Sequence, residues 1–257
     1  MVSSCSLLTF HGSLDYLELE HMKISTVALA VIGDEVLLGE VKDLNISIVS
    51  REVFRLGADL PYVCVLPDDP EFMFEHLTWM KERFDWVVTT GGIGATHDDL
   101  TKQVVSRIVG SVLVEAPEAI QSLENRIGSP LPDRVRELAL VPEGAELVTN
   151  ELTAAPGFIV ENFLVLPGIP SLVESMIGVL ESKLSGIAFH SEVVRTMLRE
   201  SEIAHHLEAI QEMYPVVKVG SYPQMEATDH RVKIVLRSRN LDSLREARKI
   251  ILERIGA

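Results

Sequence analysis

The sequence predicts an α/β protein: a three-layer α/β/α sandwich around a mostly parallel sheet, followed by a small C-terminal α+β domain. Two observations carry this prediction. Apolar, β-branched runs alternate along the first part of the chain with segments of helical periodicity, which favours parallel strands joined by right-handed crossovers. From about Gly186 the pattern becomes strand, helix, strand, strand, helix, which is typical of an antiparallel sheet with two helices.

The first part of the chain supplies three strands, each followed by a helix. The predicted strands are Ile24 to Ile32, Leu60 to Leu66 and Trp86 to Thr90, and the predicted helices are Leu44 to Leu56, Phe72 to Arg83 and Asp98 to Val109. Asp43 or Asn45 is the N-cap of the first helix, and Gly57 ends it. Thr96 and Asp99 have the spacing of a capping box at the start of the third helix.

The rest of the chain divides into a helical middle, short strands and a second unit. Residues 115–136 are predicted helical with a break at 128–130; short strands follow at 146–148, 158–160 and 164–166, then a helix from Pro170 to about Leu184. The C-terminal strands are expected near 190, at 216–220 and at 231–237, with helices at 200–213 and 241–255. We expect residues 1–21 to be a disordered extension, 22–187 one domain and 188–257 another.

The composition argues against several function classes. The net charge is −15 and Lys and Arg do not cluster along the chain, so a nucleic-acid surface is not expected. The two cysteines are far apart and lack metal-ligand spacing, which favours a reducing compartment and a cytoplasmic protein. No apolar run approaches the length that crosses a membrane, so no membrane partner is expected.

A glycine-rich turn carries the main functional signal. Gly91, Gly92 and Gly94 follow an apolar strand, in a position where backbone N–H groups approach a phosphate. Asp98 and Asp99 come next, and their charges would repel a phosphate unless a divalent cation lies between. The ordinary alternative is that the glycines only allow close packing and that the aspartates only favour the helix dipole.

A second candidate cluster lies at the same sheet edge. Gly33 and Asp34 also follow a strand, and the carboxyl ends of parallel strands share one edge, so Asp34 is a candidate carboxylate of the same site. Asn45 is explained equally well as a helix cap. Two Pro-Gly pairs, at 156–157 and 167–168, are either simple turns or sites where backbone N–H groups meet a ligand.

The residues favour metal-assisted hydrolysis over covalent catalysis. The sequence contains no P-loop, no G-x-S-x-G elbow and no cysteine placed as a nucleophile. Attack of water on a diphosphate is the simplest chemistry that fits the remaining groups. A carboxylate-bound Mg²⁺ or Co²⁺ would screen the phosphates, and Asp98 or Asp99 would orient the water.

Several ordered motifs then resemble a known family. Gly33-Asp34-Glu35-Val36-Leu37-Leu38-Gly39 with Asn45, the run from Thr89 to Thr101, Ala155-Pro156-Gly157-Phe158 and Leu166-Pro167-Gly168-Ile169-Pro170 are similar to the motifs of the molybdopterin-binding (MoaB/MogA-like) domain. Specifically, they resemble the version of this domain in the subgroup found in CinA proteins and at the front of eukaryotic FAD synthase. Residues 200–204 and 220–223 resemble that subgroup's small following domain.

The resemblance implies a choice of functions. Its molybdenum-cofactor branch implies a molybdopterin-binding protein in which Asp99 is essential. Its CinA and FAD-synthase branch implies metal-dependent hydrolysis of ADP-ribose or FAD, and His97-Asp98-Asp99 fits that branch better. A non-catalytic nucleotide-binding module is the third alternative. The family also implies a homo-oligomer.

These considerations define the expected site. The expected catalytic residues are Asp98 and Asp99, and the expected metal ligands are Asp34, Asp98 and Asp99. The expected substrate-binding residues are Gly33, Asp34, Asn45, Gly91, Gly92, Gly94, Thr101, Pro156, Gly157, Pro167 and Gly168. The expected ligand is a small nucleotide with a divalent metal, or a pterin under the alternative.

Overall fold

The computed structural model describes residues 23–224 and 229–256. The predicted extension, residues 1–21, lies outside the described residues. In chain order the first elements are β1 (Thr26–Ile32), α1 (Asp34–Leu37), α2 (Asn45–Arg55), β2 (Asp59–Leu66), α3 (Pro70–Arg83), β3 (Trp86–Thr90), α4 (Thr101–Val109), β4 (Leu113–Glu115), α5 (Pro117–Ile127) and α6 (Asp133–Arg136). They are followed by β5 (Leu140–Pro142), β6 (Glu146–Val148), β7 (Gly157–Val160), β8 (Phe163–Leu166), α7 (Pro170–Met176), β9 (His190–Thr196), α8 (Glu200–Met213), β10 (Lys218–Pro223), β11 (Val232–Ser238) and α9 (Leu241–Ile255).

A six-stranded sheet with the order β2-β1-β3-β8-β7-β6 forms the centre of the first unit. β1 pairs in parallel with β2 and β3, and β3 with β8, whereas β7 pairs antiparallel with both β8 and β6. The predicted mostly parallel sheet is therefore confirmed. Its antiparallel edge arises because β7 and β8 are joined by only two residues, which is too short for a crossover.

The strand alternation of β1 divides the core into two layers. Ala28, Ala30 and Ile32 pack on one side with apolar residues of α3, α4 and α5. Val27, Leu29 and Val31 pack on the other side with α2 and α7. Because successive strand residues point to opposite faces, an unbroken apolar run is what a sheet covered by helices on both faces requires. This confirms the three-layer sandwich.

The C-terminal unit is a three-stranded antiparallel sheet, ordered β10-β11-β9, with α8 and α9 on one face. Ile234 and Leu236 point into the core against Ile203, Leu244 and Ile251 of those helices. The alternate strand positions, such as Lys218 and Arg237, face the other way. The predicted small α+β unit is confirmed.

The two units meet closely at a joint formed by Gly57, Gly186 and Arg239. A Cβ atom at Gly57 would lie 2.3 Å from the carbonyl carbon of Ile187, so the two backbones are in direct contact. Arg239 donates to the carbonyl oxygens of Ile187 at 3.1 Å and Gly57 at 2.7 Å, and to Oδ1 of Asp59 at 3.1 Å. One guanidinium group thus fastens the start of β2 to the second unit.

Several element boundaries differ from the sequence prediction. The helix predicted from Asp98 begins at Thr101, and the helix predicted to reach Leu184 ends at Met176 and continues as a 3₁₀ turn, Ile177–Ser182. The middle region also contains the short strands β4 and β5, which pair with each other. β4 adjoins the region predicted as helix and β5 is only three residues long, so neither has a periodicity that marks it as a strand in the sequence. Among the described residues, the model contains no helix whose length and apolar character suit a membrane crossing.

Candidate functional site

The turn after β3 adopts a conformation that only glycine accommodates. Gly91 and Gly92 have φ values of 104° and 66°. A Cβ at Gly91 would lie 2.1 Å from the carbonyl oxygen of Ile32, and one at Gly92 would lie 2.2 Å from Oγ1 of Thr101. The two glycines therefore let the turn press against the end of β1 and the start of α4.

Thr101 supports this turn from behind. Its side chain is fully buried, its hydroxyl donates to the Gly91 carbonyl at 3.0 Å, and its amide donates to the Gly92 carbonyl at 3.0 Å. The structure thus places Thr101 under the turn and not on the surface of a cleft. Its direct contact with a substrate stays a prediction, and the hydrogen bonds seen here hold the turn.

Asp98 and Asp99 lie in the loop before α4, so the predicted placement in the first turn of a helix is wrong. Asp99 accepts hydrogen bonds from the amides of Gly94 at 2.7 Å and Thr96 at 2.9 Å, and also from the Thr96 hydroxyl. Thr96 and Asp99, whose spacing suggested a capping box, instead hydrogen-bond to each other across a loop. Both carboxylate oxygens of Asp99 hold the loop, whereas the Asp98 side chain is 59% exposed.

The β1 and β2 ends bring two further carboxylates to the site. Glu35 and Asp68 line the same cavity as Asp98 and Asp99, but Asp34 does not. The Asp34 amide donates to Oδ2 of Asp68 at 3.0 Å, and the Asp68 amide donates to Oδ1 of Asp34 at 3.4 Å, so Asp34 holds Asp68 in place from outside the lining. The sequence reasoning missed Glu35 and Asp68. Asp68 was detectable, because it follows a strand that ends at the same sheet edge as the two glycine turns.

The opposite wall comes from the segment after β8. Pro167, Gly168 and Ile169 line the cavity, and Gly168 lies close to the turn at Gly91. Asn45 is buried and donates through Nδ2 to the Gly168 carbonyl at 2.8 Å, so it fixes this wall. Its Oδ1 atom has no hydrogen-bond partner within the described residues.

The first Pro-Gly pair is not part of this wall. Pro156 and Gly157 are buried at the start of β7, and a Cβ at Gly157 would lie 2.5 Å from the Val165 carbonyl oxygen. Gly157 therefore allows β7 and β8 to pack closely. The structure does not bring this pair to the cleft with Pro167 and Gly168.

Together these walls form an acidic cleft of about 410 Å³ at the carboxyl ends of β1, β2, β3 and β8. Its lining contains Glu35, Asp68, Asp98 and Asp99, and no Lys, Arg or His side chain of the described residues. Burial raises the pKa of Asp68, the hydrogen bond from the Asp34 amide opposes this shift, and the charges of Asp34, Glu35 and Asp98 add to it, so the pKa lies above its usual value. Negative charge is thus concentrated here without a neutralising side chain.

Backbone amides provide the complementary groups. The Gly91 amide donates to the Leu166 carbonyl at 3.1 Å, and the Gly94 amide donates to Asp99, so neither is available to a phosphate. Within residues 23–224 and 229–256, the amides of Gly92 and Gly168 donate to no protein acceptor. Of the three glycine amides expected to bind phosphate, only that of Gly92 is therefore available. The amide of Gly168 is a second available donor.

A buried lysine lies behind the acidic loop. Lys102 is 4% exposed, and its Nζ donates to the carbonyl oxygens of Glu137 at 3.0 Å and Leu138 at 3.2 Å. Burial lowers the pKa of Lys102 to about 8, although the charges of Asp99 and Glu137 oppose this shift. No sequence pattern indicated that this residue is buried, because an isolated lysine at a helix start usually faces solvent.

The carboxylates do not form a closed metal cage. Among the residues that the structure describes, no group of three His, Cys, Asp or Glu side chains is arranged to hold a metal ion. This arrangement still fits Mg²⁺, which proteins usually bind through one or two carboxylates, with waters and substrate phosphates completing the shell.

Comparison with known proteins identifies the family. Residues 28–184 match the family model described as "Probable molybdopterin binding domain", and residues 188–257 match the model described as "FAD synthase, middle domain". An Archaeoglobus fulgidus protein is 33% identical over 75% of this chain and 83% of its own length. A CinA-like protein of Citrifermentans bemidjiense is 38% identical over 59% of this chain, but that match covers only 38% of the longer protein.

A solved structure supports the same fold. The CinA protein of Thermoplasma acidophilum superposes with a TM-score of 0.59 at 23% identity, over 62% of this chain and 98% of that protein. At this identity the likeness concerns the fold alone. The family resemblance of the sequence motifs is confirmed by the match over residues 28–184, and the chain belongs to the molybdopterin-binding (MoaB/MogA-like) domain family, with CinA-like relatives.

Proposed function

We propose that the acidic cleft hydrolyses the pyrophosphate bond of a dinucleotide such as ADP-ribose or FAD, with a divalent metal ion. The observation that carries this proposal is the juxtaposition of two kinds of group. The amides of Gly92 and Gly168 are available to phosphate oxygens, while Glu35, Asp68 and Asp98 surround the same space. A diphosphate can approach so many carboxylates only when a cation screens the charges.

The side chains that would hold the metal differ from the set expected from the sequence. Asp99 uses both oxygens within its loop, and Asp34 lies outside the lining of the cleft. Glu35 and Asp98 are therefore the proposed oxygen donors to the metal, which leaves Asp68 unligated beside them. A bound divalent cation would polarise the phosphoryl group and lower the pKa of a bound water.

Asp68 is the proposed proton acceptor. Its raised pKa makes it a better base than an ordinary aspartate, and its position beside Asp34 is fixed by a hydrogen bond. In the reaction, water adds to one phosphorus atom, its proton passes to Asp68, and the bridging oxygen leaves with the second phosphate. ADP-ribose would give AMP and ribose 5-phosphate, and FAD would give AMP and FMN.

The second unit supports a nucleotide substrate. Residues 188–257 match a domain of FAD synthase, an enzyme whose name contains a dinucleotide product. The CinA-like relatives share the first unit with this chain. These likenesses favour an adenosine-containing dinucleotide over a simple phosphate ester.

The test is a metal-by-substrate screen. Purified protein is incubated with ADP-ribose or FAD, with Mg²⁺, with Co²⁺ or with EDTA, and the products are separated by chromatography. We expect metal-dependent cleavage that falls at least about 100-fold in Asp98→Asn and Asp68→Asn, the usual effect of removing a group that acts on a proton or metal. Glu253→Gln, an exposed carboxylate on α9, is the control and should be unaffected.

Failure of the screen would favour one of two alternatives. The family model itself favours a molybdopterin-binding protein, and pterin fluorescence in the purified protein without cleavage of either dinucleotide would support that function. Saturable nucleotide binding without turnover in any metal would instead support a non-catalytic module.

A further inference from the structure

A second cavity lies between the two units. It is at the amino end of β2, whereas the acidic cleft is at the carboxyl end of the same strand. It has a volume of about 620 Å³ and is lined by the second half of α2, the start of β2 and the outer face of the small sheet. β2 begins at Asp59 in this cavity and ends at Leu66 beside the cleft. At ~3.3 Å per residue the two sites are roughly 20 Å apart.

Three cations line this cavity: Arg51 of α2, Lys218 of β10 and Arg237 of β11. Lys218 and Arg237 are directly opposite each other in the strand register, an arrangement of like charges that destabilises a sheet. Within the described part of the chain, none of the three makes a salt bridge or donates a side-chain hydrogen bond. Their charges are therefore available to a ligand.

The remaining charged groups at the cavity leave it cationic. Asp59 is the carboxylate of the lining, and its Oδ1 already accepts from Arg239 at 3.1 Å. Three cations that have no partner among the described residues are an unusual local excess in a chain of net charge −15. An anion would relieve the repulsion between Lys218 and Arg237.

An apolar wall stands next to the cations. The rings of Phe54 and Phe189 are stacked with centroids 4.8 Å apart, and the Arg239 guanidinium lies 3.9 Å from the Phe189 centroid. Val53 and Leu60 extend this wall. The volume is in the range of small-molecule sites, and the combination suits a ligand with phosphates at one end and a flat ring at the other.

We propose that this cavity binds the phosphates of a nucleotide through Arg51, Lys218 and Arg237, with the base against the wall formed by Val53, Phe54 and Leu60. The site is separate from the acidic cleft and does not depend on the function proposed there. Ser50 and Ser191 add hydroxyl donors at the cavity surface.

The experiment measures ADP binding by titration calorimetry in EDTA. Without a divalent cation the acidic cleft repels phosphates, so binding reports on the cationic cavity. We expect saturable binding that weakens at least about tenfold in the double variant Lys218→Ala, Arg237→Ala, since charge-assisted hydrogen bonds are lost. Arg51→Ala, on the other unit, should weaken binding in the same direction.

A matched control is available on the same sheet face. Lys233 and Arg195 are also directly opposite each other on β11 and β9, but they do not line the cavity. Removing both changes the net charge equally and should leave ADP affinity unchanged. The proposal is overturned if wild-type protein does not bind ADP in EDTA, or if the Lys218/Arg237 variant binds it normally. Equal weakening in the control variant, or equal affinity for inorganic pyrophosphate and ADP, would overturn it as well.

Discussion

The acidic cleft and the cationic cavity lie at opposite ends of the strands of one sheet, and they differ in charge and in the kind of group that lines them. The cleft presents carboxylates and backbone amides on loops whose geometry is fixed by internal hydrogen bonds, such as those that Asp99 accepts. The cavity presents long cationic side chains from two units that meet at Arg239. The difference teaches that the first site depends on backbone conformation, and the second on how the two units are held together.

The largest expected effect comes from breaking the cleft alone. Gly91→Ala would place a Cβ 2.1 Å from the Ile32 carbonyl oxygen at a φ of 104°, so the turn must move. We expect hydrolysis to fall more than about 100-fold and the free energy of unfolding to drop by about 2–3 kcal/mol. ADP binding in EDTA should be retained, because the cavity is at the far edge of the sheet. Gly178→Ala, where a Cβ has open space, is the control for activity.

The buried cation behind the cleft should make stability depend on pH. The pKa of Lys102 is about 8 in the folded protein and ordinarily 10.5, so between these values the unfolded chain binds more protons. The free energy of unfolding contributed by this group therefore rises as pH increases from about 8 to 10.5, by at most about 3 kcal/mol. Urea denaturation of wild type and Lys102→Met across this window should show the free energy of unfolding of the wild type rising relative to that of the variant. Parallel curves for the two proteins would contradict the prediction, and Lys249→Met removes the same charge from an exposed position as control.

Replacing Arg239 should weaken the joint between the two units and leave the acidic cleft unchanged. Arg239→Ala removes three hydrogen bonds and leaves the Gly57 carbonyl and Asp59 without this donor. We expect a loss of about 2 kcal/mol in the free energy of unfolding, together with weaker ADP binding in EDTA. Hydrolysis measured at saturating substrate should stay within about twofold of wild type. Loss of hydrolysis in a folded variant would show that the two sites are coupled.

The smallest effect distinguishes two neighbouring aspartates. Asp34→Asn should change hydrolysis by less than about threefold, because the variant keeps both the backbone amide that donates to Asp68 and a side-chain Oδ1 that can accept from the Asp68 amide. Asp68→Asn should be severely impaired under the same conditions. Equal impairment of the two variants would restore Asp34 as a direct ligand, as the sequence alone had predicted.

The sequence predicted the sheet and the position of the cleft because these follow from local patterns. The apolar run of β1 indicates a buried strand, and the glycines at 91 and 92 indicate a turn with positive φ. Each of these features can be recognised from a single short segment of the sequence. The roles of Asp99, Asp68 and Lys102 depend on which distant groups surround them. Asp99 and Asp98 are adjacent and chemically identical in the sequence and both line the cleft, yet both oxygens of Asp99 accept hydrogen bonds from the loop, whereas the Asp98 side chain is 59% exposed.

The cationic cavity could not be predicted from the sequence for a related reason. Arg51, Lys218 and Arg237 are separated by long stretches of chain, so no basic cluster is visible in one segment. They come together only because β10 and β11 pair in a particular register and because the joint brings α2 beside them. An acidic net charge therefore gave no indication of a local basic site.

Arg239 also limits how either unit can be exchanged for the corresponding unit of another protein. The two family models meet between residues 184 and 188, which suggests a natural cutting point for fusions or domain exchange. The guanidinium of Arg239, however, completes the hydrogen bonding of Gly57 and Asp59 on the other side of that cut. A chimera that keeps both modules but replaces either end of this bridge would carry an unmatched arginine or an unmatched carboxylate. Successful exchange requires Gly57, Asp59 and Arg239 to be transferred as a set, although more than 170 residues separate the first from the last.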